Sequence, residues 1–304
     1  MRREICLALL HLVSIPPTAP FPISTMSANG AAKSLLSLRG KRAVITGSTA
    51  GIGLGIAEAL CDHGCRVVIS GSRPREAAEA VVATLKKDFP AAELHYIQAD
   101  LSTPEGPPAL IKQTIETLGG LDIVVNNAGL QHTSPLVDFP LDKWQQLMAL
   151  HLTAPFLTMQ SALRHWRDLS AEQKTSVYGR LINISSAHGL VASPNKTAYC
   201  AAKHGVLGLT KAAALEMAET GVTVNAVCPG WVNTDLVHKQ VVRLSQDKGI
   251  SIEEAETKLV SAKHPNKMFT PARHVGEYVA FLCSEAATCI TGASQVIDGG
   301  WTIQ

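Results

Sequence analysis

A chain of 304 residues with 46% hydrophobic and only 17% charged side chains has ample material for a core and a surface poor in charge, which points to burial between subunits. A net charge of +2 without any basic run gives no footing for nucleic acid. Seven cysteines, an odd number with no C-x-x-C and no Cys/His cluster, read as reduced packing thiols rather than disulfides or a metal centre. No apolar run reaches the ~20 residues of a membrane helix.

Residues 1–38 differ from the rest. Arg2 and Arg3 precede an apolar run from Ile5 to Ile15, and Pro16, Pro17, Pro20 and Pro22 then break any helix. The run fits a secretory h-region or part of a transit peptide, although Glu4 and the lack of further arginines weaken the second reading. Alternatively Met26 is the true start. The cytoplasm is the expected compartment, with the mitochondrion as the alternative if the extension is a transit peptide. The folded domain is expected over residues 39–304.

From residue 42 strands and helices alternate. Strands are predicted at 42–46, 65–70, 94–99, 121–126, 177–184, 222–227 and 294–297. Helices are predicted at 54–63, 74–88, 104–118, 141–167, 196–220 and 271–284. The strands are continuously apolar, the mark of a parallel sheet covered on both faces. Right-handed crossovers then give an α/β doubly wound, Rossmann-type sheet in a single domain. Residues 231–270 form an insertion before the last βα unit. Leu236, Val237, Gln240, Val241 and Leu244 share one helical face, and Ile252, Ala255, Leu259 and Val260 suggest a second helix. Beside the ligand crevice the pair fits a lid that excludes water, or else an oligomer contact.

Four stretches carry chemistry. In Thr46-Gly47-Ser48-Thr49-Ala50-Gly51-Ile52-Gly53, a glycine turn follows a strand and opens a helix, so backbone N–H groups can meet a pyrophosphate. Its spacing differs from the commoner G-x-G-x-x-G. Asp100 ends the third strand, where it either accepts from an adenine amino group or caps a helix ahead of Pro104. Asn126-Asn127-Ala128-Gly129 ends the fourth strand, where an open α/β sheet forms its crevice. Tyr199 and Lys203 are four apart in an alanine-rich stretch that favours helix, so phenol and ammonium lie on one face. A neighbouring cation would lower the phenol's pKa of roughly 10 and make it a general acid/base. Ser185-Ser186 closes the apolar run before it.

From about residue 40 onward these motifs, in this order, resemble the short-chain dehydrogenase/reductase family. The residues are T-G-x-x-x-G-x-G at 46–53, N-N-A-G at 126–129, Ser186 thirteen positions before Tyr199, Y-x-x-x-K at 199–203, and Pro229-Gly230. Asn127 to His132, Ser186 to Ala192, Asn195-Lys196, Gly230-Trp231-Val232 and Lys239-Gln240 look, within it, like the bacterial-type D-3-hydroxybutyrate dehydrogenases. The resemblance implies that Ser186, Tyr199 and Lys203 are catalytic and that Gln131, His188 and Lys196, with Gln240 from the lid, hold a substrate carboxylate. It implies a dinucleotide held by Gly47, Thr49, Gly51, Ile52, Gly53, Asp100, Leu101, Asn127, Ala128, Gly129, Tyr199, Lys203, Pro229, Gly230 and Val232. The expected partner is a small hydroxy acid, and the expected assembly a homotetramer.

The cofactor implied is NAD. The second strand ends Ser70-Gly71-Ser72-Arg73, with no acid to accept from a ribose 2′-OH, and Arg73 is placed to meet a 2′-phosphate instead. Against that, Ala50 stands where NADP-preferring relatives often carry a basic residue. Two departures from the family follow. The stretch 165–179 is longer than usual, and His151 stands where the family has an Asn whose backbone carbonyl holds a water that relays protons from the lysine. Pro155 has no N–H to give the carbonyl four residues back, so a kink and a free carbonyl are expected at His151, which can still serve the relay.

Overall fold

The computed structural model describes residues 35–173 and 177–304. The N-terminal stretch and any signal it carries lie outside the described residues. The chain runs β1 (Arg42–Ile45), α1 (Gly51–Asp62), β2 (Arg66–Gly71), α2 (Arg75–Asp88), β3 (Leu94–Gln98), α3 (Gly106–Leu118), β4 (Ile123–Asn126), α4 (Leu141–Met148), α5 (Ala154–Gln173), β5 (Gly179–Ile184), α6 (Thr197–Glu216) and β6 (Val222–Pro229). It ends with β7 (Val232–Asn233), α7 (Asp235–Lys248), α8 (Ile252–Ser261), β8 (Thr270–Pro271), α9 (Ala272–Cys283) and β9 (Ser294–Ile297).

Seven strands form a parallel sheet in the order β3-β2-β1-β4-β5-β6-β9. Successive residues of each strand enter opposite layers. Ile45, Ile69 and Ile182 pack with Ile56, Leu60, Val275 and Val279 of α1 and α9. Val44, Val68, Val124 and Leu181 pack with Leu110, Ile111 and Trp166 of α3 and α5. Both faces are dry, which is why the strands read as continuous apolar runs. Each such side chain contributes roughly 1.5–3 kcal/mol relative to exposure. Leu38, just before β1, is also fully buried. Strand order reverses between β1 and β4, so their C-terminal ends splay apart and leave a crevice.

The long helix expected over 141–167 is interrupted. Ala149–Thr153 is a π turn, in which the Ala154 N–H bonds to the Ala149 carbonyl five residues back. Pro155, without an N–H, follows at once, and the ladder changes register there. The helix then continues to Gln173, which takes up much of the stretch that looked long in the sequence.

The insertion forms two helices. Thr234 caps α7 by accepting from the Val237 N–H, and Gly249 ends it in the left-handed region. Ser251 and Glu254 form a capping box on α8. A short parallel pairing of β7 with β8, absent from the sequence expectation, ties the two ends of the insertion together. Two residues per strand carry no periodicity that a sequence reading can detect.

Candidate active site

A cavity of about 590 Å³ opens at the C-terminal ends of β1 and β4. Gly47, Thr49, Gly51, Ile52, Asp100, Leu101, Asn127, Ala128, Gly129, His151, Tyr199 and Lys203 all line it. Its floor is held by backbone chemistry. The Thr46 hydroxyl accepts from the N–H groups of both Asn127 and Ala128 at 2.9 Å, and the Asn127 amide donates to the carbonyls of Thr46 at 2.9 Å and Gly47 at 3.0 Å. The glycine turn and the N-N-A-G stretch are thereby locked together. A Cβ on Gly53 would overlap both the Asn127 amide and the Gly47 carbonyl, so only glycine allows this approach. α1 begins beneath the turn with no side-chain cap and no acid in its first turn, leaving its N–H groups for an anion. These features fit the pyrophosphate of a dinucleotide.

The far end of the cavity carries Ser72 and Arg73. The Tyr96 hydroxyl donates to the carbonyls of Gly71 and Arg73, and the Gln98 amide to that of Ser72, so the loop backbone is pinned from β3. Asp100 accepts from the N–H and hydroxyl of Ser102, which holds its carboxyl below the usual range. It is therefore a local turn residue in the cavity wall. The position before α3 is taken by Glu105, so the helix-cap alternative for Asp100 does not hold.

Tyr199 and Lys203 project from one face of α6. The Lys203 ammonium is buried, donates to the Ile184 carbonyl at 2.7 Å and lies 5.6 Å from the centre of the Tyr199 ring. Burial lowers its pKa to about 8. The phenol's pKa is raised, because burial outweighs the hydrogen bonds from Ser186 and then Gln131 that favour its ionised form. The expected lowering by Lys203 is thus not realised in the free chain, where the ammonium is spent on a backbone carbonyl. Ser186 also accepts from the His188 N–H at 3.1 Å.

His151 is 3% exposed. Its ring meets that of Tyr199 edge-on at 5.1 Å, and its Nε2 lies 2.7 Å from the Leu130 carbonyl. The Leu130 N–H also lies 3.2 Å from Nε2, so which of the two contacts forms follows the ring's tautomer, and Nδ1 is buried without a partner. Burial, followed by the Lys203 charge, lowers its pKa to about 3, so it is neutral near pH 7.

A second cavity of about 110 Å³ shares Ile52, Gln131, Ser185, Tyr199, Thr234 and Leu236 with the first. Ser186, His188, Lys196, Pro229, Gly230, Trp231, Val232 and Trp301 complete much of its wall, and no carboxylate lines it. Pro229, Gly230 and Val232, expected beside the cofactor, lie here. The Lys196 ammonium stands 5.4 Å from the Trp231 ring, and burial lowers its pKa. His188 bonds Ser193 at 2.9 Å, and burial takes its pKa down to about 4, with Lys196 adding to the shift. Near neutrality His188 is a hydrogen-bonding imidazole and Lys196 the cation. Gln240 lines neither cavity. Its amide donates to the Leu236 carbonyl one turn back along α7.

Sequence reasoning gave no functional role to Trp231, Trp301 or His264. The indole N–H of Trp231 is buried without a partner. Its ring stacks on Trp301 at 5.8 Å, and Trp301 meets His188 edge-on at 4.9 Å. No local signal at the end of a chain marks a tryptophan as a cavity wall.

A family model described as enoyl-(acyl carrier protein) reductase matches residues 47–302. The chain is 44% identical to D-beta-hydroxybutyrate dehydrogenase of Cupriavidus necator, over 88% of this chain and 100% of the relative. It is 40% identical to the protein of the same name from Rhizobium meliloti, over 87% and 99%. L-sorbose reductase of Gluconobacter frateurii, solved with NADPH and L-sorbose, superposes with a TM-score of 0.81 at 28% identity, covering 88% of this chain and 99% of that one. Agreement running from the glycine turn nearly to the chain end shows that the chain belongs to the short-chain dehydrogenase/reductase family.

Proposed function

We propose that the chain oxidises (R)-3-hydroxybutyrate to acetoacetate with NAD, and catalyses the reverse. One observation carries this reading: the small cavity holds a cation and several hydrogen-bond donors, no carboxylate, and opens beside Tyr199 and Ser186. A short hydroxy acid fits such a site, with its carboxylate toward Lys196, His188 and Gln131 and its hydroxyl toward Tyr199. The 44% identical relative supports the same substrate.

The dinucleotide, when bound, supplies the hydride acceptor. In the oxidation direction Tyr199 acts as its phenolate and takes the hydroxyl proton to become the phenol, which returns that proton in the reverse direction, and Ser186 hydrogen-bonds the same oxygen. Lys203 holds positive charge behind the phenol. The His151 carbonyl holds the relay water behind Lys203. Leu236 of the lid, half exposed and reaching both cavities, helps to exclude water. Gln240 joins the carboxylate only on further closure of α7. We also propose a homotetramer, which gel filtration tests.

Arg73 favours a second reading for the cofactor alone, since it lines the far end of the cavity with no acid on its loop. Comparing kcat/KM for NAD and NADP decides it, and a higher value with NADP overturns the choice of NAD. The substrate is tested by absorbance at 340 nm with NAD and (R)-3-hydroxybutyrate. Turnover at ~10⁻² s⁻¹ or below, against a median near 10 s⁻¹, overturns it.

A further inference from the structure

Three segments far apart in the chain meet behind the small cavity: the β6–β7 turn at Gly230-Trp231, the stretch from His264 to Met268 after α8, and the chain end at Gly299 to Trp301. His264 stands at their junction, fully buried. Its Nε2 lies 2.7 Å from the Trp231 backbone nitrogen and its Nδ1 lies 2.7 Å from the Met268 carbonyl. The backbone N–H can only donate and the carbonyl can only accept. A neutral imidazole with its proton on Nδ1 satisfies both together. There is no slack around the ring. A Cβ on Gly230 would overlap Nε2, and one on Gly299 would come within 2.9 Å of Nδ1.

The junction is locked by two further backbone bonds and one from the Gln304 side chain. The Asn266 N–H donates to the Gly299 carbonyl, the Thr270 N–H to the Trp231 carbonyl, and the Gln304 amide to the Lys263 carbonyl. The Trp301 ring lies 6.1 Å from His264 and stacks on Trp231 with an interplanar angle of 28°. These two indoles wall the cavity that also holds Lys196 and His188.

We propose that His264 is a positioning residue that sets the length of acid the cavity accepts. It holds the Trp231 backbone and the Trp301 ring in one arrangement, and that wall closes the site to acids longer than 3-hydroxybutyrate. The proposal rests on the short hydroxy-acid reading given above. Residue 264 touches no reacting group; it acts through the two indoles.

Two variants test it. His264→Phe keeps the bulk and removes both hydrogen bonds. His264→Gln keeps an acceptor and a donor at similar reach. With (R)-3-hydroxybutyrate and (R)-3-hydroxyhexanoate, His264→Phe is expected to raise KM for the shorter acid about tenfold. The ratio of kcat/KM, longer over shorter, should rise by about tenfold or more, the scale on which a pocket discriminates methylene groups. NADH affinity, read by its fluorescence, stays unchanged, and His264→Gln restores the parent ratio. An unchanged ratio, an equal loss for both acids, or a loss of NADH affinity overturns the proposal. If His264→Phe does not fold, Trp301→Ala replaces it, and failure of that variant to admit the longer acid overturns the wall. Quenching of tryptophan fluorescence by butyrate and hexanoate needs no turnover. If the parent oxidises neither hydroxy acid, the substrate reading fails, while preferential binding of butyrate by the parent, lost in His264→Phe, still upholds the wall.

Discussion

The two cavities are contiguous but built by different means. The larger is made of strand ends and backbone: the glycine turn, the N-N-A-G stretch and the start of α1, bound by Thr46 and Asn127. The smaller is made of side chains from five separated places, at Gln131, His188, Lys196, Trp231 and Trp301, held by packing and by His264. Backbone geometry suits a ligand with the same phosphates and rings in every relative. Side-chain walls can be exchanged without disturbing the sheet, which is why the proposed acid site belongs there. Cofactor binding and acid binding should therefore be separable by mutation.

The largest separation is expected at the phenol. Tyr199→Phe removes the proposed proton carrier and should lower kcat by about 10²–10⁴-fold, while NADH affinity, to which the other residues of the larger cavity contribute, falls far less. A similar fall in cofactor affinity would break the division. On the cofactor side, Gly53→Ala forces apart the Asn127 and Gly47 contacts. It should weaken NADH binding by about ten- to a hundredfold, the effect of roughly 1–3 kcal/mol for a buried hydrogen-bonding group left unsatisfied. Residual turnover at saturating cofactor should show an unaltered KM for the acid. On the acid side, Lys196→Ala removes a charge-assisted bond that contributes roughly 1.5–3 kcal/mol. KM for 3-hydroxybutyrate should rise about ten- to a hundredfold with little change in kcat, and an unchanged KM would place the acid elsewhere.

The smallest effects concern the two buried histidines, one lining each cavity. The folded pKa values, about 3 for His151 and about 4 for His188, lie below the unfolded value near 6.5. The unfolded chain then binds more protons between those limits, so the stability these groups supply is complete above about pH 6.5 and declines as pH falls through the window. Each contributes up to about 1.4 kcal/mol per pH unit. A thermal scan from pH 7 to pH 4.5 should show a falling midpoint, less steep in His151→Asn. The same variant should keep kcat within about tenfold near neutral pH. A residue already neutral there supplies no titration between roughly pH 6 and 7. Loss of a kinetic limb in that range would show that the imidazole itself carries protons.

Most of the larger cavity was legible because its motifs are contiguous and their meaning is local. A glycine turn after an apolar strand, paired asparagines at the next crevice strand, and a Tyr and Lys four apart each state their own geometry. The π turn was partly legible, since Pro155 removes a donor wherever it folds. Gln131, His188 and Lys196, proposed to hold the acid, were reached by resemblance, and the structure brings them together around one cavity. Gln240 was placed by the same route and lies outside it.

The alternation of strand and helix, the parallel sheet covered on both faces, and the end of that sheet where a ligand binds could all be read from the order of residues. These follow from periodicity and from backbone-level chemistry, both of which act over a few residues. Folding alone set the raised pKa of the phenol, the neutral state of His151 and His188, the pair of hydrogen bonds at His264 and the stacked wall of Trp231 and Trp301. Each depends on desolvation or on contact between segments tens to hundreds of positions apart, and no local pattern records what the folded chain will set beside a given side chain.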